Sequence, residues 1–253
     1  MTSWIFSLVS VGIVSLVSLA GLVTLSLDEA RTRRLAALLV SFAVGALLGD
    51  AFIHLIPQTF RQDAVTLWPS LLILGGMLLF FVVEKLLRHE HGLLHRYYHP
   101  DASTRPELAA VNILGDAIHN FIDGVLIAAS YLASPALGLA TTVAVLFHEI
   151  PQELGDFGIL IHSGLSVRRA VLLNLASASV AILGAVAALL LGAVSGAAVT
   201  MLLIPVTAGG FVYIAAADLM PELQHDRSGR GLLTQVGLIS LGMGVMGLLA
   251  ILE

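Results

Sequence analysis

Cysteine is absent from the 253 residues, and charged residues make up only 11% of them. Without cysteine the chain can form neither disulfides nor thiolate metal sites. Ordinary soluble domains contain about 25% charged residues, so the low charge content excludes that class. The net charge of −5 provides no basic surface of the kind that binds nucleic acid. We therefore expect no nucleic acid among the partners of this protein.

Apolar residues dominate the composition. Hydrophobic residues account for 58% of the chain, and the mean hydropathy is +0.97. A helix that crosses a bilayer needs about 20 mostly apolar residues. The sequence predicts an all-α, polytopic membrane protein whose residues 1–253 form one transmembrane domain in a lipid bilayer. The eight predicted transmembrane helices lie at 4–27, 35–60, 68–87, 107–132, 137–162, 170–193, 198–220 and 232–252.

The distribution of positive charge predicts the orientation of these helices. The first Lys or Arg is Arg31, so the first apolar stretch lacks the charged start of a signal peptide and is expected to remain as a helix. If the N-terminus is outside, Arg61 is the single Lys or Arg on the outer side. Cytoplasmic loops are enriched in Lys and Arg, so we expect both termini outside.

The same orientation makes the loop 88–106 cytoplasmic. Histidine-rich tracts can bind metal, so this loop is either a metal-capturing segment or a plain polar loop. Its histidines are His89, His91, His95 and His99.

A polar stripe runs along the predicted fourth helix. Residues three or four apart share one helical face, and the polar residues with this spacing are Asp116, His119, Asn120 and Asp123. The opposite side is apolar and suits lipid or packing. A charged side chain at the centre of a membrane helix costs about 2.5–3.5 kcal/mol on insertion scales. Such a stripe therefore indicates function.

The predicted fifth helix carries a second set of polar residues. His148, Gln152 and Asp156 follow one another at steps of four, and Glu149 and Glu153 form an adjacent line. Imidazole suits zinc, iron, copper and nickel, and carboxylates add affinity for harder ions such as manganese. Clustered carboxylates repel one another unless a cation or protons neutralise them. The two helices together predict a divalent metal site; a packed interhelical hydrogen-bond network is the alternative.

Other buried polar residues give weaker signals. His54 in the second helix and Asp218 at the end of the seventh are candidates for a metal route, and His162 at the inner end of the fifth is a candidate exit ligand. Anchoring at the membrane interface, helix capping or a solvated terminus is the alternative explanation.

At these residues the sequence resembles a known family. His119-Asn120-Phe121-Ile122-Asp123-Gly124 is similar to the fourth-helix signature His-Asn-x-x-(Glu/Asp)-Gly of the Zrt/Irt-like protein (ZIP) family of divalent metal transporters. The run from His148 to Phe157 resembles the fifth-helix signature of its LIV subgroup, His-Glu-x-Pro-His-Glu-Leu-Gly-Asp-Phe.

The resemblance implies a transporter rather than an enzyme. It implies import of Zn²⁺, or of Fe²⁺, Mn²⁺ or Cd²⁺, into the cytoplasm through the plasma (inner) membrane, with the metal as substrate and no catalytic cofactor. It also implies an elevator-like motion within a homodimer. A transport bundle of helices 1, 4, 5 and 6 would slide against a scaffold of helices 2, 3, 7 and 8.

The resemblance further implies a paired metal site, bridged by Asp123. One metal would be held by His119, Asp123, His148 and Gln152. The second would be held by Asn120, Asp123, Glu149 and Gln152. Further candidate ligands are Asp116, Glu153 and Asp156, together with Asn174 and Ser177 in the sixth helix.

One position departs from the subgroup pattern. Gln152 stands where the subgroup has histidine. A neutral amide is a poorer ligand than imidazole, so this change is expected to weaken affinity, alter metal preference or leave one of the two positions marginal.

Two functions of other classes compete with metal transport. His148-Glu149-x-x-Gln152 superficially resembles the His-Glu-x-x-His zinc motif of metalloproteases. The missing second histidine and the distortion expected at Pro151 argue against an intramembrane metalloprotease. A proton-coupled carrier of organic solutes is the third possibility.

Overall fold

Helices are the only regular secondary structure among the residues that the computed structural model describes, which confirms the predicted fold class. The structure describes residues 2–26, 29–60, 67–97, 106–195, 197–224 and 229–251. The α-helices are α1 (Thr2–Leu16), α2 (Glu29–Gly49), α3 (Ile56–Phe60), α4 (Trp68–Tyr97), α5 (Pro106–Ala133), α6 (Pro135–His162), α7 (Val167–Ala178), α8 (Val180–Ser195), α9 (Ala197–Tyr213), α10 (Met220–Leu223) and α11 (Gly229–Ile251).

Irregular helical segments continue or join several of these helices. A 3₁₀ segment, Val17–Ser26, follows α1 directly. One π-helical segment, Asp50–Leu55, joins α2 to α3, and a second, Ile214–Leu219, joins α9 to α10. Isolated π turns in proteins are often found at functional sites. Helices α5 and α6 are the predicted fourth and fifth helices, and α7 with α8 forms the sixth.

Six stretches of the described residues are long enough and apolar enough to cross a membrane. They are Thr2–Leu22, Arg34–Phe60, Asn112–Ala133, Val167–Ser195, Ala198–Ala217 and Gly231–Ile251. Helix α4 adds a shorter apolar stretch, Trp68–Val83. The count of eight spans and the outside position of both termini stay predictions.

Helix α4 is longer than its sequence predicted. It continues to Tyr97, ten residues into the expected loop 88–106. Each residue added to an existing helix gains one backbone hydrogen bond, and after Pro69 in the first turn of α4 the next proline is Pro100. The rest of that loop, with His99, lies outside the described residues. So do the side chains of His89, His91 and His95.

Glycines bring pairs of helices into backbone contact. A Cβ atom added to Gly124 of α5 would lie 1.9 Å from the Ala181 carbonyl oxygen of α8. A Cβ added to Gly184 of α8 would lie 2.0 Å from the Phe121 oxygen of α5. Small residues allow such close approach between membrane helices. Each helix of this pair therefore has a glycine against which the backbone of the other helix packs; we call such a glycine a notch.

Two further pairs repeat this arrangement. In α2 and α11, Gly45 meets the Ile239 oxygen at 2.0 Å and Gly242 meets the Phe42 oxygen at 2.4 Å, again measured from an added Cβ. In α4 and α9, a Cβ added to Gly76 would lie 2.3 Å from the Val206 carbonyl oxygen. A Cβ added to Gly209 would lie 2.0 Å from the Ile73 carbonyl oxygen.

Helix α6 lies between these pairs. It packs against α5, α2 and the 3₁₀ segment. Phe147 of α6 meets Phe42 of α2 with ring centroids 4.3 Å apart. Its buried face includes Ala140, Ala144 and Val145. This packing fixes one polar face of α6 directly opposite the polar stripe of α5.

Candidate metal site

Four of the predicted site residues converge between α5 and α6. His119 and Asp123 come from α5, and His148 and Glu149 come from α6. One ligand atom from each of the four lies within 4.8 Å of all the others. We call these four residues the imidazole–carboxylate cluster. The side chains of three are at most 1% exposed, whereas that of His119 is 21% exposed.

The distances within the cluster suit a tetrahedral cation. Asp123 Oδ2 lies 3.1 Å from His148 Nε2 and 3.6 Å from His119 Nε2. Glu149 Oε1 is 3.4 Å from both of these nitrogens, which are 3.3 Å apart. Ligands at zinc distances of about 2.0–2.1 Å in a tetrahedron are about 3.3 Å apart. The two nitrogens are therefore spaced from each other and from the two carboxylate oxygens as the ligands of a zinc site are.

The backbone of α6 helps to orient His148. Its Nδ1 atom lies 3.3 Å from the Ala144 carbonyl oxygen one turn earlier. A carbonyl only accepts, so this contact favours a proton on Nδ1 and a lone pair on Nε2. Fixing the far ring nitrogen in this way is common among metal-binding histidines. Helix α6 continues without a break through Pro151.

The face of α5 opposite the polar stripe is apolar, as the spacing predicted. Ile118 and Phe121 of α5 are exposed, whereas Asp116, Asn120 and Asp123 are buried. Lipid-facing and site-facing residues of α5 are thus separated.

Asp116 and the sixth helix form a second polar group beside the cluster. The amide nitrogen of Asn120 donates to Asp116 Oδ1 at 2.8 Å, and the Ser177 hydroxyl donates to Asp116 Oδ2. Asn174 donates to Glu153 Oε2 and to the Ser18 carbonyl oxygen. The two candidates from the sixth helix therefore hold carboxylates of α5 and α6 and do not join the cluster.

The structure distributes the implied ligands differently from the two sets given by the resemblance. Glu149, implied for the second metal, lies against both imidazoles of the first. Gln152, implied for both metals, is half-buried. Asp156 is also half-buried and is not among the four residues of the cluster. The assignment of ligands to metals stays a prediction.

Several buried oxygens in this region have no hydrogen-bond partner. They are Asn120 Oδ1, Asp123 Oδ1, Glu153 Oε1 and Asp156 Oδ2. Buried polar atoms are normally paired. Oxygens without a donor are suited to accept a cation.

The remaining candidates lie outside this site or outside the described residues. His54 is buried 3.2 Å from Asp50 Oδ1 in the first π segment and is not part of the cluster. The side chains of His162 and Asp218 lie outside the described residues. Sequence reasoning missed Thr141, which donates to Asp50 Oδ2 at 2.9 Å. A threonine within an apolar run carries no signal of such a long-range contact.

Comparisons with known proteins identify the family to which the chain belongs. The model of the ZIP zinc transporter family matches residues 1–106 and 89–250. Zinc transporter ZIP4 of Rattus norvegicus is 32% identical over 85% of this chain and 43% of its own length. Zinc transporter ZIP13 of Danio rerio is 32% identical over 84% of this chain and 75% of its own length.

A third relative is zinc transporter SLC39A7 of Mus musculus, which is 31% identical over 92% of this chain and 66% of its own length. The chain thus spans less than half the length of ZIP4 and most of ZIP13. The family match covers nearly all of the chain, and the described helices include six that could cross a membrane. The chain is therefore a multi-pass membrane protein that belongs to the ZIP zinc transporter family.

Proposed function

We propose that this protein imports Zn²⁺ into the cytoplasm through the imidazole–carboxylate cluster between α5 and α6, in the plasma membrane and as a homodimer. The observation that carries the proposal is the convergence of His119, Asp123, His148 and Glu149 within 4.8 Å. Its nitrogen and oxygen ligands suit zinc, and no thiolate is present to make binding too tight for release. The zinc transporters among its relatives support the same substrate.

The exposure of the ligands suggests the order in which they bind the ion. His119 is the one partly exposed member of the cluster, and the other three are almost fully buried. An arriving hydrated ion would exchange its first water for His119 Nε2. It would then lose further waters to Asp123, His148 and Glu149, because only those ligands lie deeper in the protein.

The arrangement of glycines supports an elevator-like mechanism. We take α1, its 3₁₀ segment and α5 to α8 as the transport bundle, and α2 to α4 with α9 to α11 as the scaffold. Several described glycines would bring an added Cβ within 3.0 Å of another helix. In each case both helices belong to the transport bundle, or both belong to the scaffold. Interlocked backbones resist sliding, and no described glycine interlocks the helices of the transport bundle with those of the scaffold.

Zinc uptake by purified protein in liposomes tests the proposed function. Wild-type protein is expected to accumulate zinc, and His119→Ala is expected to lose most of this uptake because the variant lacks the accessible ligand. Phe121→Ala, on the lipid side of the same helix, is the control and should retain uptake. Competition by Mn²⁺, Fe²⁺ and Cd²⁺ then ranks the ions.

The same experiment separates the competing functions. A metalloprotease would cleave a protein substrate and accumulate no zinc, and its cleavage would be lost in His119→Ala. A carrier of organic solutes need not lose metal accumulation in this variant. The absence of zinc uptake by folded wild-type protein would overturn the proposal.

A hydrogen bond between the transport bundle and the scaffold gives a second test of the mechanism. Thr141 of the bundle donates to Asp50 of the scaffold, which is buried. Thr141→Val removes the hydroxyl and leaves the size nearly unchanged. A buried acceptor that loses its donor costs about 1–3 kcal/mol. If the transport bundle slides against the scaffold, this variant should shift the equilibrium between their two relative positions away from the present one by about 5- to 150-fold.

Spin-label distances across the boundary measure this shift. The chain has no native cysteine, so Phe52→Cys and Leu139→Cys, both at exposed positions, would be labelled selectively. Thr142→Val is the matched control, because the Thr142 hydroxyl bonds to the Gly138 oxygen within its own helix. We expect a second distance population to grow in Thr141→Val and not in Thr142→Val. Identical distributions in both variants would contradict the sliding boundary.

A further inference from the structure

The first membrane helix changes its geometry partway along. The α-helix α1 ends at Leu16, and the ten residues of the 3₁₀ segment, Val17–Ser26, follow without a break. Runs of 3₁₀ helix longer than three or four residues are uncommon, because the hydrogen-bond geometry is poorer than in an α-helix. A mid-helix stretch of this kind often marks a functional hinge or a strained sequence. A 3₁₀ segment of ten residues therefore needs contacts that hold it in this form.

Contacts with α6 and α7 stabilise the 3₁₀ form. The buried Asn174 of α7 donates from its side-chain nitrogen to the Ser18 carbonyl oxygen at 3.2 Å. The Gly21 backbone packs closely against Phe157 of α6, since an added Cβ would lie 2.5 Å from the Phe157 Cβ atom. Phe157 is fully enclosed by the protein, at 1% exposure, and has little room to move aside. The first half of the segment is thus fastened to the transport bundle.

The contact between Gly21 and Phe157 depends on the 3₁₀ form. Successive residues turn by about 120° in a 3₁₀ helix and by about 100° in an α-helix. Counted from Leu16, position 21 would be rotated by about 100° if the segment continued as an α-helix, and it would no longer face Phe157. The same change would shorten the ten residues by about 5 Å, since each residue rises about 2.0 Å in a 3₁₀ helix and about 1.5 Å in an α-helix.

The place of the segment in the chain gives this change of length a use. Three stretches connect the transport bundle to the scaffold, namely residues 27–28, 98–105 and 196. Eight residues can follow a displacement of several ångströms, whereas one residue can turn but barely lengthen. Two residues limit the distance from Ser26 to Glu29 to about 11 Å. Both neighbours of residue 196 are regular α-helices, so the 3₁₀ segment is the irregular helix beside a short connection.

We propose that Val17–Ser26 changes between a 3₁₀ and an α-helical form and thereby supplies about 5 Å of travel between the transport bundle and α2. This travel is close to the rise of one α-helical turn. Asn174 and Phe157 hold the longer form in the present arrangement. In the other arrangement the bundle lies nearer to the start of α2, and Gly21 has turned away from Phe157. The inference rests on the proposed sliding of the bundle, because it names the part of the chain that gives way.

Spin-label distances within the first helix measure the form of the segment. Val9 and Leu22 are exposed, so Val9→Cys and Leu22→Cys accept labels in a chain without native cysteine. The 3₁₀ and α-helical forms differ by about 3 Å in this distance. Gly21→Ala adds a Cβ that clashes with Phe157 in the 3₁₀ form, and alanine favours an α-helix over glycine. We expect this variant to shorten the main distance by about 3 Å.

A second variant and a matched control accompany this measurement. Asn174→Ala removes the donor to Ser18 without adding an atom, and it should populate the shorter distance in part of the molecules. Gly12→Ala makes the same substitution as Gly21→Ala in the same membrane helix, but its added Cβ has no neighbour within 4 Å. This control should keep the wild-type distance. Thermal melting of each variant in detergent verifies folding.

The link between the segment and sliding is tested in Thr141→Val. The shorter distance between labels at 9 and 22 should appear in the same fraction of molecules as the second distance between labels at 52 and 139. A second population at 52 and 139 with an unchanged distance at 9 and 22 would overturn the inference and leave the proposed function intact.

An unchanged distance in both Gly21→Ala and Asn174→Ala would also overturn the inference, because the segment would then move as a rigid 3₁₀ unit. Failure of the proposed function gives a different result. Wild-type liposomes would then accumulate no zinc, while Gly21→Ala would still shorten the distance within the first helix.

Discussion

Replacing Asp123 by alanine is expected to abolish zinc uptake. Asp123 is the single carboxylate that α5 contributes to the cluster, and its Oδ2 lies 3.1 Å and 3.6 Å from the two imidazole nitrogens. Loss of a direct ligand should exceed the roughly 10- to 100-fold cost of losing a residue that only orients one. Zinc affinity and the initial rate of uptake into liposomes should both fall by at least about 100-fold.

The apo protein should tolerate this substitution. Asp123 is fully buried, and no Lys or Arg lies against it among the described residues. Burying an ionised carboxylate is unfavourable, and removing this cost offsets the loss of the contacts that Asp123 makes to His148 and His119. Thermal melting without metal should therefore be close to that of wild type, whereas the rise in melting temperature on adding zinc should disappear.

Asp123→Glu is the matched control for this prediction. It keeps a carboxylate at the position where the family signature accepts either acid, and it should retain measurable uptake. Zinc accumulation by Asp123→Ala at the wild-type rate would remove Asp123 from the transport route.

Substitution of a single glycine should separate two interlocked helices. A Cβ atom at Gly76 of α4 would lie 2.3 Å from the Val206 carbonyl oxygen of α9, whereas a Cβ at the adjacent Gly75 would have no neighbour within 4 Å. Backbone atoms cannot move aside as a flexible side chain can. Gly76→Ala must push α4 away from α9, at a cost of about 1–3 kcal/mol or more.

Thermal melting in detergent measures this effect against an adjacent control. Gly76→Ala should lower the melting temperature by about 5 °C or more. Gly75→Ala should leave it unchanged or raise it slightly, because alanine favours a helix over glycine by about 1 kcal/mol. Equal melting temperatures for the two variants would mean that α4 and α9 do not meet at this notch.

Local periodicity made much of the site predictable. A helix brings residues three or four apart onto one face, so the spacing of Asp116, His119, Asn120 and Asp123 already predicts a shared polar surface. The exclusion of charge from membrane interiors made that surface stand out against its apolar surroundings. The same exclusion predicted the all-α fold and the multi-pass class.

Contacts between helices were not predictable in this way. Glu149 lies against both imidazoles because of how α6 is rotated against α5, and Asn174 and Ser177 face different carboxylates because of where α7 crosses both. The helical extension of α4 to Tyr97 and the reciprocal glycine notches likewise depend on which helices meet.

The sequence by itself determined that this is a helical membrane protein and which residue types are available for a cation, because both depend on composition and on the fixed period of a helix. The tertiary structure decided which oxygens and nitrogens converge and which carboxylates the sixth helix contacts. Those features depend on the relative rotation and crossing of separate helices, which interhelical packing sets.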